Sequence, residues 1–482
     1  MTKKRWGRGL LAPACVFAGL AWAGACSNGL GPLPDPNTPR VVALLDTVEQ
    51  RTFAFFWERS DPATGLTPDR WPTPSFSSVA AVGFALTAYP IGADRGWVSR
   101  SAVADRVLTT LRYFYQRPQG PAPTGIAGHQ GFFYHFLDMA SGLRFQTVEL
   151  STVDTALLLG GVLFCREYFD TADPIEAAIR AYADSLYRRV DWRWAQRAPP
   201  LISMGWKPES GFLPLDWRGY NEAMLVYLLA LGSPTFPIEP AAWDGWTATY
   251  QWGTFHGQSH VGFAPLFGHQ YSHIWVDFRG IRDGYMRGRG GGLDYFQNSR
   301  RASLAQRAYA IANPDGWVGY GAEVWGLTAS DGPVDATLTV GGRQRRFFTY
   351  AARGASFTEI RDDGTLAPTA AGGSVPFAPE IAIPALVAMR ERYGQWLFGQ
   401  YGFLDAFNPT FQLEVPVQHG RVVPGVGWFD GDYLGIDQGP ILAMLANYRR
   451  DFVWRYMRRS PYLVTGLRRA GFTGGWLDGG DD

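Results

Sequence analysis

The chain has 482 residues, 46% apolar and 18% charged, which places it among globular proteins and excludes a disordered or collagen-like chain. Its 44 Lys and Arg nearly balance 43 Asp and Glu, giving a formal charge of +1, and no basic run or stripe follows, which argues against a nucleic-acid partner. Aromatic residues make up 15%, with 19 Trp, a content that suits an aromatic core or flat platforms for a ligand such as a sugar.

The N-terminus reads as a targeting segment. Lys3, Lys4, Arg5 and Arg8 precede an apolar run from Gly9 to Ala23, too short to span a membrane comfortably. Ala23-Gly24-Ala25-Cys26 fits signal-peptidase cleavage and also resembles a bacterial lipobox, with Ala23 where Leu is usual. The expected organisation is a signal peptide at 1–25, a lipidated Cys26 and a tether at 26–39. The product would be exported to the periplasm or cell surface, and Ser27 after the cysteine points to the outer membrane. Cys165 stands alone in an apolar stretch and reads as a buried small hydrophobe, leaving no internal disulfide.

In chain order, helices are expected over 41–59, over 75–89 with Pro90 ending the second, and over 97–116. A Gly/Pro-rich connection and a short strand near 132–138, beside 143–147, lead to a helix at 153–170. The next runs from 174 to 192, with Asp173 as cap and Pro174 at its first position. Residues 201–217 read as a hairpin-like insert. Gly219 to Gly232 follows as a helix with Glu222 in its first turn and Gly232 as the C-terminal stop. Further helices are expected at 240–251, around 271–278, and at 293–313, 375–393, 435–447 and 452–458, with a hairpin pairing 337–340 with 345–350. About a dozen helices of similar length, with Gly, Trp and acids gathered in the loops, suit an all-α (α/α)6 toroid with a small β-hairpin and long loops at the cleft. Two helical domains split near residue 255 are the alternative.

His256-x-x-x-His260 and His269-x-x-x-His273 have metal-ligand spacing, but Gly257, Pro265 and Gly268 break the helix that would align them, so no metal and no cofactor is expected. No G-x-S-x-G elbow occurs. Carboxylates beside aromatics and Gly remain: Asp138, Glu149, Asp154, Glu222, Glu323 before Trp325, Asp331, Glu380, Asp430, Asp432 and Asp437. Glycoside hydrolysis needs two such groups. Any one of these acids reads equally as a cap or a surface charge, and Glu222 by itself reads equally as a first-turn charge.

As an ordered set, several motifs resemble the glucoamylase-like domain of bacterial exported proteins. They include Phe136-Leu137-Asp138, Glu149-Leu150-Ser151-Thr152-x-Asp154, Tyr220-Asn221-Glu222, Ser272-His273-x-Trp275-x-Asp277-x-Arg279 and Gly435-Ile436-Asp437-Gln438-Gly439-Pro440. The resemblance covers about 40–455 and is similar to glycoside hydrolase family 144, which implies an (α/α)6 barrel and inverting endo-β-1,2-glucanase activity. It implies Glu222 as general acid and Asp437 as the base acting through water, with Asp138, Glu149 and Asp154 in substrate subsites. Tyr220, Asn221, His273, Trp275, Arg279, Glu323 and Trp325 complete the expected substrate-binding set. The catalytic domain is then 40–460, with 461–482 a C-terminal tail. The expected partners are an oligo- or polysaccharide substrate and a membrane reached through Cys26, and the chain is expected to act as a monomer. A non-catalytic glycan-binding lipoprotein and an α-glucan-active hydrolase are the alternatives.

Overall fold

A computed structural model describes residues 37–479, so the segment 1–25, Cys26 and most of the tether lie outside the described residues. Long helices dominate: Pro39–Arg59, Val79–Asp94, Arg100–Gln116, Thr152–Tyr168, Pro174–Arg188, Tyr295–Ala312, Pro379–Leu397 and Gly435–Arg450, with the shorter, wholly buried Met224–Gly232. No described helix is long and apolar enough to cross a membrane. Local signals act as the sequence implies. The Asp173 carboxylate accepts from the Ile175 and Glu176 amides, with Pro174 at the first helical position. The helix expected from 375 starts later, at Pro379.

The all-α expectation needs correcting. The described residues also contain nine small sheets, the largest in the order Gly128–His129, Phe132–Tyr134, Leu150–Ser151, Gly205–Lys207, Gly211–Phe212. The predicted hairpin is one of them, pairing Ala336–Val340 with Arg343–Phe347. Others lie just before helices: Ser77–Ser78 pairs with Phe136–Leu137, and Tyr433–Leu434 with Arg70–Trp71. Ser77–Ser78 and Tyr433–Leu434 are buried, and a buried backbone must find hydrogen-bond partners, so each helix lead bonds to an extended segment of a neighbouring loop.

Two details depart from the sequence reading, and a third is visible only in the packing. The second helix does not stop at Pro90 but runs on to Asp94. Pro90 has no N–H for the Leu86 carbonyl four residues back, and the Cys165 thiol donates to that carbonyl at 3.1 Å. Burial pushes the thiol's pKa well up and keeps it a donor. Cys165 is thus more than an apolar filler. Second, Gly232 is the last helical residue rather than a left-handed stop; a Cβ there would lie 2.2 Å from the Tyr462 carbonyl. The neighbour it admits belongs to Pro461–Arg469, so residues 461–479, read as a tail, carry a helix packed on the helix at 224–232. Third, the helix Val79–Asp94 lies so close to Thr152–Tyr168 that a Cβ on Gly83 would sit 2.3 Å from the Leu157 carbonyl, and one on Gly161 would sit 2.1 Å from the Gly83 carbonyl. This contact brings the two N-termini, capped by Ser78 and Ser151, to the same region.

Arg353 fixes the loops on another flank. It is fully buried, forks onto Asp363 at 2.7 and 2.8 Å, and donates to the carbonyls of Ser330, Phe348 and Thr349. Burial alone would raise the Asp363 pKa, but the guanidinium overrides it and holds the carboxyl low. Removing one partner of such a pair typically costs about 3–5 kcal/mol. The bonded segments carry Asp331 and Tyr350 to the site.

Candidate active site

A cavity of about 300 Å³ lies where N-terminal turns meet. It is lined by Ser78 and Ala80 of one helix, Val153, Asp154 and Leu157 of another, Tyr271 at the start of Tyr271–Trp275, Leu434 and Ile436 ahead of Asp437, and Glu222. Unpaired amides at helix N-termini favour nearby carboxylates.

Glu222 does not stand in the first helical turn. The helix begins at Met224, and Glu222 lies in the turn before it. Asn221 builds that turn, its side chain donating to the Arg218 carbonyl at 3.0 Å and accepting from the Ala223 amide at 3.1 Å. Ser272 clamps it from across the cavity rim, donating to the Glu222 carbonyl at 3.0 Å and accepting from the Leu225 amide at 3.1 Å. Oε2 of Glu222 is buried with no hydrogen-bond partner. Burial, with a smaller push from the Asp154 charge, raises this carboxyl to about 7. It can therefore hold a proton near neutral pH.

Beside it stands an ionised group missed from sequence. His135 bonds Glu149 through Nδ1 at 2.8 Å and lies 3.5 Å from Asp154 through Nε2. Burial opposes its charge, but Asp154, Glu149 and Asp69 raise it to about 9; the same hydrogen bond drops Glu149 to about 2. The pair is ionised across that interval. Ser151 holds Asp154 in turn, donating to its carboxylate and accepting from its amide. The ring of His135 stacks on Phe136, and Phe136 on Phe76, both with centroids 3.9 Å apart, giving an aromatic wall. Phe267, Tyr271 and Tyr350 add further rings.

Asp437 lies in the first turn of Gly435–Arg450, 3% exposed, with Oδ2 unpartnered. Its carbonyl accepts from Thr369 at 2.9 Å, and Tyr271 donates to the preceding Ile436 carbonyl at 3.0 Å. Burial and the neighbouring Asp405 push its carboxyl well up. Two more hollows adjoin the central one. Glu222 and Asn221 also line a cavity of about 220 Å³ with Trp217 and Phe263. Arg70 and Phe76 also line one of about 500 Å³ that includes Asp138 and His419. Glu222 thus lines two of these hollows.

Glu222 and Asp154 line the central cavity, Asn221 and Asp138 the adjoining ones, Glu149 stands behind the lining residue His135, and Asp437 follows the lining residue Ile436. The structure does not bring the rest of the expected set to these cavities. Tyr220 is 2% exposed and stacks on Tyr295. His273 is buried against Ser299, 3.1 Å from its hydroxyl. Trp275 is fully buried, stacked on Phe84 and bonded to Thr87. Arg279 serves an ion-pair network with Asp277 and Asp451. Glu323 pairs with Arg392, and Trp325 is in the core. The aromatics and His273 fill the space between helices, Arg279 and Glu323 are held in ion pairs with part of their side chains exposed, and the stacking surfaces come from Phe and Tyr. Asp69, Arg70, His135, Tyr350 and Asp405 were missed. Of these only His135 offered a signal, through its place directly before the Phe136-Leu137-Asp138 motif. Among the described residues the two His-x-x-x-His pairs enter no group of three that could share an ion.

The fold and the site together define a helix-rich protein of the glucoamylase-like class, with carboxyl groups gathered at helix N-termini. The chain belongs to the Glycoamylase family, whose model, described as "Putative glucoamylase", matches residues 214–461. It is 28% identical over 464 residues to an exo-β-1,2-glucooligosaccharide sophorohydrolase (non-reducing end) of Parabacteroides distasonis; the match takes in 88% of this chain and 57% of that longer protein. Among solved structures it is similar to an endo-β-1,2-glucanase of Chitinophaga pinensis in complex with sophorotriose and glucose. That similarity has 27% identity and a TM-score of 0.76, over 90% of this chain and 99% of that one. A β-1,2-glucanase of Parabacteroides distasonis gives a TM-score of 0.74 at 27% identity, over 89% of this chain and 60% of that one.

Proposed function

We propose that this protein is a glycoside hydrolase acting on β-1,2-glucan, on an (α/α)6 arrangement of its helices, by inversion with two carboxyl groups. The observation that carries the reading is Glu222, a carboxyl raised to about 7 with a free oxygen, lining two hollows. Family membership and the β-1,2-glucan-active relatives support the substrate class. Glu222 donates its proton to the leaving glycosidic oxygen, and Asp437 activates water on the opposite face of the sugar. The His135–Glu149–Asp154 cluster and the Phe76–Phe136 wall hold the ring and its hydroxyls. The hollows adjoining the central one favour cleavage within a chain over removal of single terminal sugars.

The test is reducing-sugar release from β-1,2-, β-1,3-, β-1,4- and α-1,4-glucans, with the anomer of the first product read by proton NMR. Release from the β-1,2-glucan alone, as the α-anomer, is expected. Release from the α-1,4-glucan would favour an α-glucan-active enzyme, and binding without release a glycan-capture protein. The N-terminal segment supports export and lipid attachment at Cys26. Mass spectrometry of the mature N-terminus should find a diacylglyceryl Cys26, and an unmodified N-terminus starting at Cys26 would overturn that part.

A further inference from the structure

Behind Arg70 the fold buries acids from three separate loops. Asp331, Asp405 and Asp430 are each 1–2% exposed, and one carboxylate oxygen from each lies within 4.8 Å of the others. Each acid spends one oxygen on the protein. Asp331 Oδ2 takes Arg70 at 2.6 Å, Asp405 Oδ2 takes the Asp331 amide at 2.7 Å, and Asp430 Oδ1 takes the Gly431 amide at 2.7 Å. The second oxygen of each is buried without a hydrogen-bond partner, and so is Oδ2 of the adjacent Asp437. One guanidinium does not balance this charge, and burying unpaired carboxylates is costly.

We propose that Asp331, Asp405 and Asp430 form a binding site for one hard divalent cation, of the Ca²⁺, Mg²⁺ or Mn²⁺ class. Three oxygens no more than 4.8 Å apart share a point within about 2.8 Å of each, which small side-chain shifts bring to the 2.3–2.6 Å of a calcium–oxygen bond. The donor set is all oxygen, so it selects hard ions over zinc or copper. A second group of three, Asp331, His419 and Asp432, is the poorer candidate. Arg70 lies 3.4 Å from the His419 ring nitrogen and 3.9 Å from Asp432, placing a fixed cation where the ion would sit. Burial and mutual repulsion raise Asp405 and Asp430 in the ion-free protein, so protons are the competitors for this cage. The inference does not rest on the hydrolase reading, since its readout is binding rather than turnover.

The test uses the full chain stripped with EDTA and titrated calorimetrically with CaCl₂, MgCl₂ or MnCl₂ alone, with thermal melting in parallel. At least one ion is expected to bind at one per chain with Kd of about 1 mM or tighter, and to raise the melting temperature. Asp430→Asn and Asp405→Asn should each weaken binding at least about tenfold, and Asp432→Asn should weaken it less. Circular dichroism checks each fold; if Asp405→Asn fails to fold, Asp430→Asn decides. Absence of saturable binding by all three ions, or unchanged affinity in Asp430→Asn, overturns the site and leaves a cage neutralised by protons.

Discussion

Glu222→Gln is expected to lower kcat on β-1,2-glucan by about 10²–10⁴-fold while the affinity for a β-1,2-linked oligosaccharide changes little. The amide keeps the shape of the side chain and loses only the transferable proton. The same reasoning fixes the pH dependence. The group's ordinary value is near 4.5 and burial lifts it to about 7, so the wild type should lose activity as pH rises through about 7, where the acid gives up its proton. The sign for stability is opposite to that of a paired acid. Because the folded state disfavours the carboxylate, Glu222 weakens the fold progressively as pH rises from 4.5 to about 7, and the penalty is then constant at higher pH. Glu222→Gln should therefore melt at the same temperature as the wild type or higher at pH 8. Turnover near the wild-type rate would remove Glu222 from the acid role, and a lower melting temperature would show that its carboxyl supports the fold.

Asp437→Asn tests the other half of the chemistry and is expected to cost turnover by a similar factor, about 10²–10⁴-fold, with oligosaccharide binding retained. A small anion can stand in for the activated water. Azide should restore part of the turnover in Asp437→Asn and give a glycosyl azide of inverted configuration, whereas it should not help Glu222→Gln on a glucan with a poor leaving group. Activity in Asp437→Asn within a few-fold of wild type would transfer the base role to another acid of the cleft. Asp405 is next in line, since it adjoins Asp437.

The case of Pro90 shows why some of the fold was readable and some was not. A cap and start such as Asp173–Pro174 is decided within three or four residues, so composition and spacing announce it. Pro90 announces a stop by the same local rule. The helix continues because Cys165, 79 positions away at Leu86, supplies the donor that proline lacks. Trp275 and Trp325 looked like platforms because tryptophan serves sugars well. Both fill the core, and the half-buried Phe76 and Phe136 form the cavity wall instead.

For Glu222, the sequence by itself determined the residue type, its place beside a buried helix and its membership of a family motif. The helix pattern, the hairpin at 336–347 and the exclusion of nucleophile-elbow chemistry are of the same kind, because each depends on neighbours along the chain. Only the tertiary structure decided that Glu222 precedes its helix and is held by Ser272, and that His135 rather than His273 faces the cleft. It alone brought acids from positions 331 to 437 together behind Arg70. A carboxyl's proton affinity and its partners depend on burial and on charges from distant segments, and those quantities do not exist until the helices have packed.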